Sequence, residues 1–217
     1  MEWMGVAFWG VIVLAVVGGI AYASYAERKR REAVQRLASD MGLTFLPTLA
    51  PEDQNAFQQF NLASRGRAQK TSNAIVADSG ELRMVLFDFQ YTTGSGKNQS
   101  TRRQNVVLAS SSSLSLPVFA ISPESFFHRI SSFFGHNDID FNDDPDFSQH
   151  FLLHGPHEAE VREFFTFERR QAFLEHRTLH VEGAGRHFIF YHPGKRRKPE
   201  EIKSLLAEAY DIYRVVS

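Results

Sequence analysis

The stretch Leu82–Ala109, LRMVLFDFQYTTGSGKNQSTRRQNVVLA, decides the fold. Its first ten residues predict a strand. Leu82–Leu86 is apolar on both faces, as a central strand would be. Beyond it, Val85, Phe87, Phe89 and Tyr91 alternate with Asp88 and Gln90, so apolar and polar side chains point to opposite faces. The following Gly94-Ser-Gly-Lys97 resembles a phosphate cradle. Such a loop needs G-x-x-x-x-G-K-[ST] between a strand and a helix. With Lys97 as the lysine, Tyr91 stands where the first glycine belongs, and Asn98 replaces the metal-binding hydroxyl. Downstream, the chain runs into β-type residues, with no helix N-terminus to receive a phosphate. The stretch therefore reads as a β-hairpin whose Gly94 and Gly96 supply positive φ. Lys97, Arg102 and Arg103 remain candidate contacts for an anion or a lipid headgroup.

Outward from this hairpin, Asn73–Ala77, Gln104–Ala109 and Pro117–Ile121 read as strands, with Asp78-Ser-Gly80 as a turn. Leu43–Leu46 is a short strand, and Pro51-Glu-Asp53 opens a short helix. Ser110–Ser115 is a polar turn or edge. Pro123–Phe134 predicts a helix with Phe126, Phe127, Ile130, Phe133 and Phe134 inward. A strand near Phe151–Leu153 follows, then helices over Pro156–Phe165 and Phe167–His176. Leu179–Val181 and His187–Tyr191 form a hairpin around Gly183-Ala-Gly185. From Pro199 the chain is helical, with Ile202, Leu205, Leu206, Ala209 and Tyr213 on one face. Strands followed by helices, without regular β–α alternation, point to an α+β fold with a mainly antiparallel sheet and flanking helices. A chain of 217 residues with 20 phenylalanines suits one domain with a large core.

The N-terminus carries a different signal. Trp3–Tyr25 is 23 residues without a charge, long enough to cross a bilayer as a helix. Only Glu2 precedes it as a charged side chain, and Arg28, Lys29, Arg30, Arg31 and Arg36 follow. A cleaved signal would have its bases first. The expected architecture is a transmembrane anchor over 1–25, a basic juxtamembrane helix over 26–42 and a cytoplasmic domain over 43–217. The protein would be a single-pass inner-membrane protein, N-terminus out, with the bilayer as a partner through residues 3–25. Ala15, Gly19 and Ala23 form a small-residue stripe suited to self-association. Gly42 stops the juxtamembrane helix.

Composition removes several chemistries. Without cysteine there is no disulfide, thiolate metal site or thiol nucleophile. A net charge of −1 and the lack of a binding motif argue against nucleic acid. No G-x-S-x-G elbow is present, and Asp88 is a lone possible acid. All nine histidines lie between His128 and His192. His150, His154 and His157 are a candidate metal set, although the H-E-x-x-H pattern fails after His157-Glu158. Asp138-Ile-Asp140-Phe-Asn142 begins like a calcium loop, but Asp143 and Gln149 occupy the glycine and bidentate-glutamate positions. The basic run Lys195, Arg196, Arg197, Lys198 sits at a helix N-terminus, where its charge is unfavourable; this hints at a role in contacting an anion. No cofactor is implied. The expectation is a membrane-anchored, non-enzymatic binding or assembly module with an unidentified protein partner. The alternatives are a metal-dependent enzyme or metal-binding protein using the histidine set, or an anionic headgroup-binding domain.

Three segments together, Phe87–Leu108, Asp138–Gly155 and Leu37–Phe45, resemble a group of bacterial single-span membrane proteins of unknown function with a cytoplasmic domain. The resemblance covers most of the chain. It implies the anchored α+β architecture and adds no catalytic residue.

Overall fold

The computed structural model describes residues 2–124 and 138–217; in the N-terminal helix, side chains are described for Trp9, Leu14 and Val17 onward. The part of the expected Pro123–Phe134 helix beyond Glu124 lies outside the described residues. Helix α1 (Glu2–Asp40) leads into β1 (Thr44–Leu46), α2 (Pro51–Phe57) and a 3₁₀ turn, Asn61–Ser64. Three long strands follow: β2 (Arg67–Asp78), β3 (Leu82–Thr93) and β4 (Ser100–Ser111). After β5 (Leu116–Pro123) come α3 (Pro145–His150), β6 (Phe151–His154), α4 (Glu158–Phe164) and α5 (Phe167–Leu174). The hairpin β7 (His180–Gly185) and β8 (His187–Tyr191) precedes a 3₁₀ turn, Pro199–Glu201, and α6 (Ile202–Val216).

All eight strands join one sheet in the order β1-β2-β3-β4-β8-β7-β5-β6. Each pairing is antiparallel, as the hairpin reading of Leu82–Ala109 requires. Gly94 and Gly96 turn that hairpin at φ 73° and 53°. A side chain on Gly94 would strike the Asn98 carbonyl oxygen, so glycine is needed there for space as well as for φ.

The alternation in β3 divides two apolar layers. On one face, Met84 and Leu86 join Ile75, Val107 and Ala109 beneath Val34 and Ala38 of α1 and Ile202, Leu205 and Ala209 of α6. On the other, Val85, Phe87 and Phe89 pack with Val106, Leu108 and Ile189 against Phe57, Phe60 and Leu62. Phe57 meets the Phe87 and Phe89 rings edge-on, each at 5.1 Å, a geometry the ring quadrupoles favour.

The N-terminal expectation is corrected. The helix is unbroken from Glu2 to Asp40, 39 residues, so the expected juxtamembrane helix continues the N-terminal one without a break in the backbone. Among the described residues no helix is long and apolar enough to cross a membrane. The uncharged stretch gives way to Glu27-Arg-Lys-Arg-Arg-Glu32 on the same helix. The transmembrane, single-pass architecture expected over residues 1–25 is not supported by the described residues. Of the self-association stripe, Gly19 and Ala23 are exposed, and the side chain of Ala15 lies outside the described residues.

The structure extends β2 well upstream of Asn73. Its polar first half, Arg67–Ser72, pairs along β3 with register slips at Arg67/Lys70 and Ser72/Ile75. Ala68 and Asn73 take positive φ, 50° and 53°. Asparagine tolerates this region better than most residues, and such bulges re-aim a side chain. At Asn73 the side chain is aimed at Asp88.

Candidate functional site

Asp88 and Gln90 follow Leu86 on the α1 face of β3, beyond the end of the apolar layer. The register sets Asn105 opposite Asp88 and Arg103 opposite Gln90 on β4, and Ser72 opposite Asp88 on β2. Over this polar patch runs α1. Val34 and Ala38 anchor it in the core, so Arg30, one turn before Val34, also faces the sheet. After β8 the chain returns and brings in Arg196.

These groups converge on one carboxylate. Arg30 donates two hydrogen bonds to Asp88, Nε to Oδ2 at 2.8 Å and Nη2 to Oδ1 at 2.8 Å. Arg196 Nη2 donates to Oδ2 at 2.9 Å. Asn73 Nδ2 donates to Oδ2 at 2.9 Å and Asn105 Nδ2 to Oδ1 at 2.8 Å. Arg30 Nη1 also reaches the Arg197 carbonyl at 2.7 Å, and the Arg197 amide donates to Asn105 Oδ1 at 2.6 Å. Arg196 forks onto both Glu27 oxygens at 2.5 Å. Helix, three strands and the return loop are thus joined by bidentate, charge-assisted bonds. Burial alone would raise the Asp88 pKa. The hydrogen bonds and charges of Arg30 and Arg196 outweigh it, and the carboxyl is held below its ordinary value. Glu27 is likewise lowered, first by its hydrogen bonds from Arg196.

Beside this network lies a cleft of about 310 Å³. Ala23, Ser24, Glu27 and Arg31 line it from α1. Lys70, Ser72 and Asn73 line it from β2, Asp88, Phe89 and Gln90 from β3, and Arg103 and Arg196 complete it. Its two carboxylates are already engaged, Asp88 by Arg30 and Arg196 and Glu27 by Arg196. Among the described residues, Arg31 and Lys70 have no ion-pair partner. Arg103 donates its Nε to Gln90 Oε1 at 2.8 Å and, among the described residues, has no ion-pair partner. Three exposed cations therefore face a cleft without a carboxylate to spare.

The sequence-predicted contacts divide sharply. Arg103 and Arg196 line the cleft. Lys97 sits in the exposed hairpin turn, and Arg102 is exposed opposite Tyr91, on the other face of the sheet. Lys195 accepts a backbone bond from Asn105. Arg197 lies 3.8 Å from Glu201, and the Lys198 amide is capped by Glu201 Oε2 at 2.9 Å. These three hold the return loop in place. The unfavourable charge at the helix N-terminus is explained by Arg196, which serves Glu27 and Asp88 instead.

The candidate metal set is not brought together. His150 Nδ1 lies 2.7 Å from the Asp146 carbonyl, and its Nε2 meets Arg177. His154 ends β6, and His157 precedes α4 on the surface. Among the described residues no group of three histidine or carboxylate side chains could hold a metal ion. The calcium-like loop braces the fold. Asp144 accepts from Arg170 Nε at 2.9 Å and Asp143 from Arg170 Nη2 at 2.8 Å, while Asp138 accepts the Leu153 amide at 2.8 Å. Sequence reasoning missed Glu27, Arg30, Arg31, Lys70, Asn73 and Asn105. One signal was available: Arg30, Val34 and Ala38 follow at intervals of four and place a cation on the core-facing side of α1.

No family model matches the chain, and no curated protein matches it. Among solved structures, the crystal structure of the mycobacterial trehalose monomycolate transport factor A, TtfA, is similar, with a TM-score of 0.55 and 9% identity over 87% of this chain and 94% of that chain. At that identity the likeness is one of fold.

Proposed function

We propose that the protein is a non-enzymatic binding module that seats a small anion in the cleft between α1 and strands β2–β4. One observation carries this reading: Arg31, Lys70 and Arg103 converge where the local carboxylates, Asp88 and Glu27, are already paired. Cations gathered at a concave surface focus their field and offer charge-assisted hydrogen bonds. The same geometry disfavours catalysis by Asp88. A general acid or base needs a pKa near the working pH, and this carboxylate is saturated with donors and kept ionised. The fold neighbour is described as a transport factor; this supports only the point that such a scaffold can serve a transport role in another protein.

Calorimetric titration of the whole chain with inorganic phosphate tests the reading. Binding is expected to weaken about a hundredfold or more when Lys70 and Arg103 are both changed to Gln, since each lost charge-assisted bond is worth about 1.5–3 kcal/mol. Lys97→Gln, on the exposed turn, leaves binding unchanged. Absence of phosphate binding, or binding indifferent to the double change, overturns the proposal.

A further inference from the structure

Asn73 is 3% exposed and lies on the wall of the cleft. Its amide orientation is fixed by chemistry. Asp88 is ionised and can only accept, so the Asn73 Nδ2 must face it. The other arm, Oδ1, is therefore a buried acceptor, and among the described residues it has no hydrogen-bond partner. A buried acceptor without a donor costs stability, and nearly all such atoms in folded proteins are satisfied. This one also belongs to a residue with a left-handed backbone at φ 53°, which lines the cleft and whose amide bonds Asp88. Strain of this kind persists where the surroundings enforce it and clusters at binding sites. The Nε of Arg196, another residue lining the cleft, is a buried donor without a partner among the described residues.

We infer that the cleft takes an anion bearing a hydroxyl group, with the anionic end on Arg31, Lys70 and Arg103 and the hydroxyl donating to Asn73 Oδ1. This rests on the anion-binding reading above and names its ligand class: small hydroxylated phosphates or carboxylates, of which a polyol phosphate is the simplest. A ligand oxygen can also accept from Arg196 Nε. A bare anion would satisfy the cations and leave the Asn73 oxygen unpaired. A cavity of about 310 Å³ sits at the small end of ligand sites, which suits a ligand of this size.

The test compares, by calorimetry on the full chain, glycerol 3-phosphate and n-propyl phosphate, of equal charge and similar length, with inorganic phosphate as the bare anion. Glycerol 3-phosphate should bind about tenfold more tightly than n-propyl phosphate, the scale of one buried polar group gaining its partner. Asn73→Gly, which accepts the positive φ and removes the oxygen, should bring the two affinities together. Far-ultraviolet circular dichroism checks that this variant is folded, and the comparison on the unaltered protein stands without it. Equal binding of the two organic phosphates overturns the hydroxyl inference and leaves the anion site intact. A preference that survives Asn73→Gly overturns the assignment to Asn73. Failure of all three to bind overturns the anion site itself.

Discussion

Asp88 accepts five hydrogen bonds from four residues on α1, β2, β4 and the return loop. Its charge is the counterweight for Arg30 and Arg196, whose side chains are only 13% and 17% exposed. Asp88→Asn keeps the shape and removes the charge. Breaking a buried pair from one side typically costs 3–5 kcal/mol, so a loss of about 3 kcal/mol is expected, read as a lower urea midpoint with an unchanged slope. A shift below about 1 kcal/mol would show that the bridge contributes little. The folded-state pKa of Asp88 is depressed, so its contribution is present above the ordinary carboxylate pKa and is lost as pH falls through the lower folded value. The comparison therefore belongs at neutral pH. In the sequence this carboxylate stands alone; each partner lies far along the chain, and only strand register and helix docking assemble them.

Strand β7 carries a second buried polar group. Glu182 is 3% exposed. It accepts the Asn61 amide at 2.6 Å and the Tyr191 hydroxyl at 3.2 Å, while His180 stacks on Tyr191 at 5.1 Å. Burial raises Glu182 to about 7 from 4.5. The folded state then holds more protons than the unfolded state between those values, so stability falls as pH rises from about 4.5 to about 7. His180 works in the opposite sense: burial lowers it to about 3 from 6.5, and its term is lost as pH falls below 6.5. Glu182→Gln leaves the His180 contribution unopposed, so the melting temperature should rise more steeply from pH 5 to about pH 6.5 than that of the unaltered protein. Parallel profiles would show that Glu182 does not titrate in that window. The elements themselves were unevenly legible. The β3–β4 hairpin is written in its alternating Phe and Asp and its two glycines. The first half of β2, Arg67–Ser72, has no apolar period and is a strand because β3 offers it a partner. Helix α1 changes composition near Tyr25 without changing conformation, as a helix continuing past the uncharged stretch requires. Asn73 could not be read as a site, because its role depends on a bulge that only pairing with β3 creates.

At the scale of the molecule, the sheet closes late. Strand β4 pairs with β8, Val107 facing Phe190, and β5 lies beyond β7 in the sheet order. Antiparallel neighbours distant in sequence carry a large loop-closure cost before they stabilise the fold. Refolding from urea should therefore occupy milliseconds to seconds, measured by stopped-flow circular dichroism; completion within tens of microseconds would contradict the topology. The α+β class and antiparallel sheet were readable from the sequence, whereas the strand order was not, since no local pattern records which distant strands meet. One consequence belongs to α1. Its described side chains from Val17 to Lys29 are exposed, and Val34 is the first that the core encloses. At 1.5 Å per residue Val17–Ala26 is an arm of about 15 Å, and Glu27 and Arg30 at its base are clamped to Arg196 and Asp88. The arm is a lever with its fulcrum at that clamp: a sideways load near Val17 acts as torque on the Arg30–Asp88 bridge, so the wall of the cleft would yield before the apolar layers beneath it.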